Sequence, residues 1–225
     1  VRLGERTATA RMKGTGAGVR PRRHTTQRSA TSLSDTIAVV PTLAEVEAQA
    51  AACTRCRLAA GRTHVVFGMG DPGAELMFVG EGPGAEEDRQ GLPFVGRSGQ
   101  LLDRLIFEEM GIGRDRCYIA NVTKCRPPGN RDPLPDEIEA CRPYLEAQLE
   151  IIDPSVVVTL GNFATRLLLG TSEGIQRLRG KSYPFRRGSL VPTYHPAAAL
   201  RGGAQVVAEM RADLVRAKRL LASVP

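Results

Sequence analysis

The stretch Leu76-Met77-Phe78-Val79-Gly80-Glu81-Gly82-Pro83-Gly84 decides the fold. Four consecutive apolar residues closed by a glycine read as a strand buried on both faces. The glycines that follow let the backbone approach a flat ligand or a phosphate closely, and Glu81 sets a carboxylate at the strand's end. The loop is not a Walker loop, because no Gly-Lys-Ser/Thr follows it. Taken alone, a Gly/Pro turn of this kind is more often a plain connection than a site.

Outward from that strand the chain alternates. Ser98 to Met110 predicts a helix with Leu101, Leu102, Leu105 and Ile106 on one face. Cys117 to Val122 reads as a second strand, and Pro135 to Ile152 as a helix whose proline suits the first turn. Val156 to Leu160 is a third strand, Asn162 to Leu169 a short helix, and Ser189 to Thr193 a fourth strand. Ala204 to Ala222 predicts a final amphipathic helix. Toward the N-terminus, Thr42-Leu43-Ala44-Glu45 has the capping-box pattern and opens an Ala-rich helix that runs into Cys53-Thr54-Arg55-Cys56. This order predicts an α/β fold, a three-layer αβα sandwich around a central four-stranded, mainly parallel sheet. Ligands of such sheets bind beyond the carboxyl ends of the strands. That rule selects Gly80 to Gly84, Asn121 to Arg126, Gly161-Asn162 and Tyr194-His195-Pro196.

With 225 residues, 42% of them hydrophobic, the chain can build one sizeable core. No apolar run approaches the roughly 18 residues of a membrane span, and the N-terminus shows no apolar signal region; a cytoplasmic, monomeric protein without a membrane partner is expected. Much of the net charge of +7 lies in residues 1–40, where Arg2, Arg6, Arg11, Lys13, Arg20, Arg22, Arg23 and Arg28 face only Glu5 and Asp35. That segment, rich in Gly, Ser, Thr and Arg, reads as a disordered basic tail, leaving a folded domain over residues 41–225. The five cysteines, an odd number without a secretion signal, argue against a disulfide framework and for metal binding or catalysis. Cys53 and Cys56 have CxxC spacing, and Cys125 and Cys141 follow downstream. Composition does not separate zinc from an iron–sulfur cluster. Cys117, inside an apolar strand, reads as an inert core thiol.

Two more residues stand out. Phe94 is one of only six phenylalanines in a chain without tryptophan. It sits in Gly91-Leu92-Pro93-Phe94-Val95-Gly96, outside any helical period, which suits a stacking platform as well as a core position. His195 follows the fourth strand and precedes Pro196, which holds it at the sheet's working edge, although a single histidine there is as often structural as functional.

Gly80 to Gly84, Gly91 to Gly96, Asn121-Val122-Thr123-Lys124-Cys125-Arg126-Pro127-Pro128 and Tyr194-His195-Pro196-Ala197-Ala198, with four cysteines interleaved, resemble the family-4, thermophile-type, iron–sulfur uracil-DNA glycosylases. The likeness spans about residues 42 to 223. It implies a base excision repair hydrolase acting on single- or double-stranded uracil-containing DNA. Such an enzyme flips uracil out of the helix and hydrolyses its N-glycosidic bond, leaving an abasic site. The resemblance implies roles as well. Phe94 would stack on uracil, Asn121 would read its edge, the backbone near Gly82 would contact it, and Glu87 would crowd its C5 against thymine. Glu81 would position or activate water, and His195 would donate to O2 as negative charge develops. Leu200, in an expected loop Ala197 to Arg201, would enter the duplex as a wedge, with Arg201 on a phosphate. Cys53, Cys56, Cys125 and Cys141 would hold a [4Fe–4S] cluster serving as a structural clamp or an aid to DNA contact.

Three rival readings make different predictions. A relative that captures abasic DNA covalently uses a histidine in a basic loop, but Gly180 to Gly188 contains none. A DNA-binding module without activity would depend on the basic tail. A zinc-stabilised nucleotide-binding protein would be colourless.

Overall fold

A computed structural model describes residues 41–223; the tail expected over residues 1–40 lies outside the described residues. Six strands form one sheet: β1 (Met69–Gly70), β2 (Leu76–Gly80), β3 (Tyr118–Asn121), β4 (Val156–Leu160), β5 (Tyr183–Phe185) and β6 (Gly188–Thr193), in the order β1-β3-β2-β4-β6-β5. The central four, β3, β2, β4 and β6, run parallel and are the four that the apolar runs predict. β1 and β5 were not expected. They are two and three residues long, too short for any alternation to register, and they pair antiparallel with β3 and β6 at the two edges.

The helices are α1 (Leu43–Ala51), α2 (Ala85–Gln90), α3 (Arg97–Leu105), α4 (Pro135–Ile152), α5 (Asn162–Leu169), α6 (Ile175–Leu178) and α7 (Pro196–Leu221). The capping box at α1 forms as predicted: Glu45 N–H donates to Thr42 Oγ1 (3.3 Å) and Thr42 N–H to Glu45 Oε2 (2.7 Å). Beyond Leu105 the helix widens into one π-type turn, Ile106–Met110, which carries it to the expected end.

Successive strand residues point to opposite faces, and each face has its own core. Leu76, Phe78, Ile119, Val158 and Val191 pack against Leu102 and Leu105 of α3 and Met210 and Leu214 of α7. Met77, Val79, Ala120, Val157 and Leu190 pack against Leu145 and Leu149 of α4 and Ala164 of α5. These are the three layers of the expected sandwich. The register aligns the carboxyl ends of the parallel strands: Gly80 lies opposite Asn121, Val79 opposite Thr159, and Leu160 opposite Thr193. The loops leaving β2, β3 and β6 therefore open on one edge.

One expectation is corrected here. Ala197 to Arg201 is not a loop but the first turns of α7. His195 caps this helix, its Nδ1 accepting the Ala197 N–H (3.2 Å), and Pro196 occupies the first turn, where its missing N–H costs nothing. The helix breaks at Gly203 (φ 72°, ψ −163°), so the predicted start at Ala204 marks its second segment.

Candidate active site

A cleft of about 550 Å³ opens at the carboxyl edge of the sheet, with Glu81, Gly82, Glu87, Phe94, Asn121, His195 and Arg201 among its lining residues. Strand ends supply the chemistry. Glu81 and Gly82 follow β2, Asn121 closes β3 and His195 follows β6 by two residues. The β2 and β3 loops are laced together: Val122 N–H donates to the Gly80 carbonyl (2.9 Å) and Thr123 N–H to the Glu81 carbonyl (3.0 Å).

Asn121 is buried, and among the described residues its Oδ1 has no hydrogen-bond partner. A buried amide oxygen without a partner costs about 1–3 kcal/mol, and this one lines the cleft. A Cβ on Gly80 would lie 2.4 Å from Asn121 Oδ1 and 2.5 Å from Phe94 Cζ. Only glycine lets both groups settle over the end of β2.

Phe94 belongs both to the core and to the cleft wall, so the two sequence readings of it converge. Its backbone takes φ 54°, a left-handed conformation costing a β-carbon-bearing residue about 1–2 kcal/mol. The surroundings enforce it. Arg114 donates from Nη1 to the Phe94 carbonyl (3.1 Å) and from Nη2 to the Pro93 carbonyl (2.7 Å). Gly99 packs so tightly that a Cβ there would lie 1.7 Å from the Phe94 oxygen. From the other side, Glu87 accepts the N–H groups of Val95 (3.0 Å), Gly96 (2.9 Å) and Gly84 (3.1 Å). Its carboxylate thus ties the start of α2 to the Phe94 loop while forming part of the wall.

The His195 ring faces that of Phe94, centroids 5.8 Å apart and planes tilted by 35°. Burial first, and then the positive charge of Arg201, push His195 down to about 4, so the ring is neutral at physiological pH. Because Nδ1 accepts from Ala197, the neutral ring carries its proton on Nε2. His195 is therefore a fixed donor. Gly161 packs beneath it, where a Cβ would meet His195 Cβ at 3.1 Å. Gly161-Asn162, expected in the cleft, instead lies behind it, with Asn162 Oδ1 accepting the Ile175 N–H (2.8 Å).

Glu81 is pushed up to about 7, first by burial and second by the negative charge of Asp132. Asp132 was not anticipated, nor were Arg97, Ser98, Asn130 and Arg131, which also line the cleft. The Asn130–Asp132 wall is anchored by Arg131, which donates from Nη1 and Nη2 to the two oxygens of the fully buried Glu137 (2.8 and 2.7 Å). The bidentate geometry holds the Glu137 carboxyl below its usual range. Leu200, which precedes the cleft-lining Arg201 in the chain, is an exposed large apolar side chain.

A second, small pocket is bordered by all four of Cys53, Cys56, Cys125 and Cys141, with Leu58, Ala59 and Tyr144. The thiols come from three places: the segment after α1, the loop after β3, and α4. Two donors already address the sulfurs, Arg62 Nη1 to Cys125 Sγ (3.4 Å) and Lys124 N–H to Cys141 Sγ (3.2 Å). Among the described residues, no three Cys, His, Asp or Glu side chains converge as a site for a single ion. Cys117 is buried away from this group, in the core. No helix among the described residues is long and apolar enough to cross a membrane.

Residues 67–217 match the family model of the uracil DNA glycosylase superfamily. The chain is 47% identical over 166 residues to the type-4 uracil-DNA glycosylase of Sulfurisphaera tokodaii, covering 70% of this chain and 76% of the relative. It is 48% identical over 151 residues to that of Thermotoga maritima, covering 66% and 78%. The type-5 uracil-DNA glycosylase of Thermus thermophilus is more distant, at 32% over 179 residues, covering 69% of this chain and 80% of the relative. By family match and by identity, the chain belongs to the type-4 branch of the uracil-DNA glycosylase superfamily.

Proposed function

We propose that this chain removes uracil from DNA by hydrolysing the bond between N1 of the base and C1′ of the sugar, the first step of base excision repair. The observation that carries the reading is the buried, unpartnered Oδ1 of Asn121 beside Phe94 and the neutral donor His195. A flipped uracil offers an N3–H donor next to an O4 acceptor. Asn121 matches it, with Oδ1 accepting from N3–H and Nδ2 donating to O4. Cytosine has the opposite polarity at both positions and would leave the amide unpaired, the stronger form of discrimination. Phe94 stacks on the base. The Glu87 carboxylate, held by three backbone N–H groups, forms a wall that leaves no room for the C5 methyl of thymine.

When the N1–C1′ bond breaks, its electron pair leaves with the base, and negative charge spreads from N1 to O2. His195 donates from Nε2–H to O2. A neutral, preoriented donor strengthens as that charge grows, and losing one such donor typically costs about 3–4 kcal/mol. The sugar becomes cationic at C1′, water adds there, and its proton passes to the Glu81 carboxylate. Leu200 enters the helix in the place of the flipped base, and Arg201 meets a phosphate. The backbone near Gly82 contacts the base.

Cys53, Cys56, Cys125 and Cys141 are proposed to hold a [4Fe–4S] cluster. The support is a donor set of four thiols lining one pocket. Bound there, such a cluster would cross-link three chain segments, and the catalytic residues include no cysteine. The reading extends to a cytoplasmic monomer acting on single- or double-stranded DNA. The test is release of free base from oligonucleotides carrying one uracil, beside thymine, cytosine and hypoxanthine controls. No release from the uracil strand would overturn the reading.

A further inference from the structure

Residue 124 is tied at every polar atom. Its N–H donates to Cys141 Sγ (3.2 Å), and its carbonyl accepts the Val66 N–H (2.8 Å). Its side chain, 1% exposed, turns back along the chain, and Nζ donates to the main-chain carbonyl of Asn121 (2.8 Å). Nζ also donates to Gln148 Oε1 and lies 5.7 Å from the centre of the Phe67 ring. Gln148, itself buried in α4, donates from Nε2 to the Phe67 carbonyl (2.9 Å) and to the Tyr118 hydroxyl (3.2 Å).

A lysine amine withdrawn from water is expensive, and among the described residues no carboxylate touches it. A methionine would fill the same space without that cost. What the amine does, and a methionine could not, is grip the backbone of the residue whose side-chain oxygen is left free. Asn121 sits at the last register pair of β3, opposite Gly80; the peptide that follows it is held on one side by the Val122 N–H to the Gly80 carbonyl and on the other by Lys124 at the Asn121 carbonyl. Among the described residues its side chain has no partner at Oδ1 to fix its direction. The orientation of the amide therefore depends on how firmly its backbone is held.

We infer that Lys124, braced by Gln148, is a positioning residue for Asn121, a strut joining the four-cysteine cage to the group that reads the base. The proposal rests on the assignment of Asn121 as that group. It gives the cage a connection to the cleft one residue long, since Lys124 touches Cys141 with its backbone and Asn121 with its side chain.

The experiment is a double-mutant cycle in the cluster-containing protein, with Lys124→Met, Asn121→Ala and the double variant. Single-turnover release of uracil is the main measurement, alongside visible absorbance of the cluster and affinity for uracil-containing DNA. A hydrogen bond from a charged group is worth about 10- to 100-fold. Lys124→Met should slow release by about that factor while cluster absorbance and DNA affinity stay at wild-type levels. In the Asn121→Ala background it should cost nothing more, because coupled residues are not additive. A separate, full loss in that background would mean that Lys124 acts on general stability, and would overturn the strut. Lys124→Met at wild-type speed beside a crippled Asn121→Ala would overturn the strut alone. Asn121→Ala at wild-type speed would remove the reading of Asn121 and the strut with it. Should Lys124→Met not fold, Gln148→Met carries the test. It keeps the amine but removes its brace, so a several-fold loss that vanishes in the Asn121→Ala background supports the strut, and wild-type speed overturns it.

Discussion

Glu81→Gln should make the protein slower and more stable at the same time. Folding raises the Glu81 carboxyl to about 7, through burial and the charge of Asp132. Between about pH 5 and pH 7 the folded chain keeps a proton that the unfolded chain has already released. Stability conferred by this group is therefore full below about pH 4.5 and is lost as pH rises through about 7. The bare linkage is about 3 kcal/mol, but Glu81 is partly open to solvent, and screening reduces it to about 1–2 kcal/mol. Glutamine has no charge to expose. At pH 8 the variant should melt about 2–8 °C above wild type, the range for a domain of this size, and at pH 4.5 the two should melt together. Excision should fall by at least about 100-fold, as for the loss of a general base. Wild-type excision should itself rise about tenfold from pH 6 to pH 8 as the carboxylate forms. Melting curves at the two pH values, beside single-turnover assays, decide the matter. A variant that melts lower than wild type at pH 8, or gains equally at both pH values, would show that Glu81 is not held at a cost to the fold.

Other outcomes follow from the same geometry. His195→Ala should reduce base release by about 100- to 1,000-fold with DNA affinity within a few-fold of wild type; unchanged turnover would remove the donor role. Asn121→Asp places a carboxylate against O4 and should slow uracil release by at least about tenfold, whereas retained rate and selectivity would mean that another group reads the base. Cys125→Ser should remove the visible absorbance of the cluster and lower solubility, and a wild type that is stable without colour would end the cluster proposal.

The four central strands were legible because strands buried on both faces are near-continuously apolar, as in Leu76 to Val79. Glu81, Asn121 and His195 were legible by position, since parallel strands deliver their last residues to one edge. Other features left no local trace. Lys124 between Thr123 and Cys125 looks like a surface lysine until Asn121, three residues before it, and Gln148, 24 residues after it, close around it. The Arg131–Glu137 pair joins the segment before α4 to that helix's first turn, and nothing in the local sequence pairs the two residues. The early start of α7 was missed because Pro196 reads equally as a loop residue and as a first-turn residue, and Gly202-Gly203 reinforced the former. The backbone of Phe94 is set by Arg114, Glu87 and Gly99, none of which adjoins it in sequence.

The glycines beneath the cleft have a consequence for how this enzyme could change. Asn121 and Phe94 rest on Gly80, the Phe94 carbonyl on Gly99, and His195 on Gly161. At each place any other amino acid adds an atom where the close packing leaves little or no space. The floor of the pocket therefore cannot drift by small steps: it has no smaller residue to move to, and a larger one displaces a working group. New base preferences must arise from the reading groups themselves or from the Asn130–Asp132 wall and the rim. Variation in natural or selected descendants of this chain should accumulate there first.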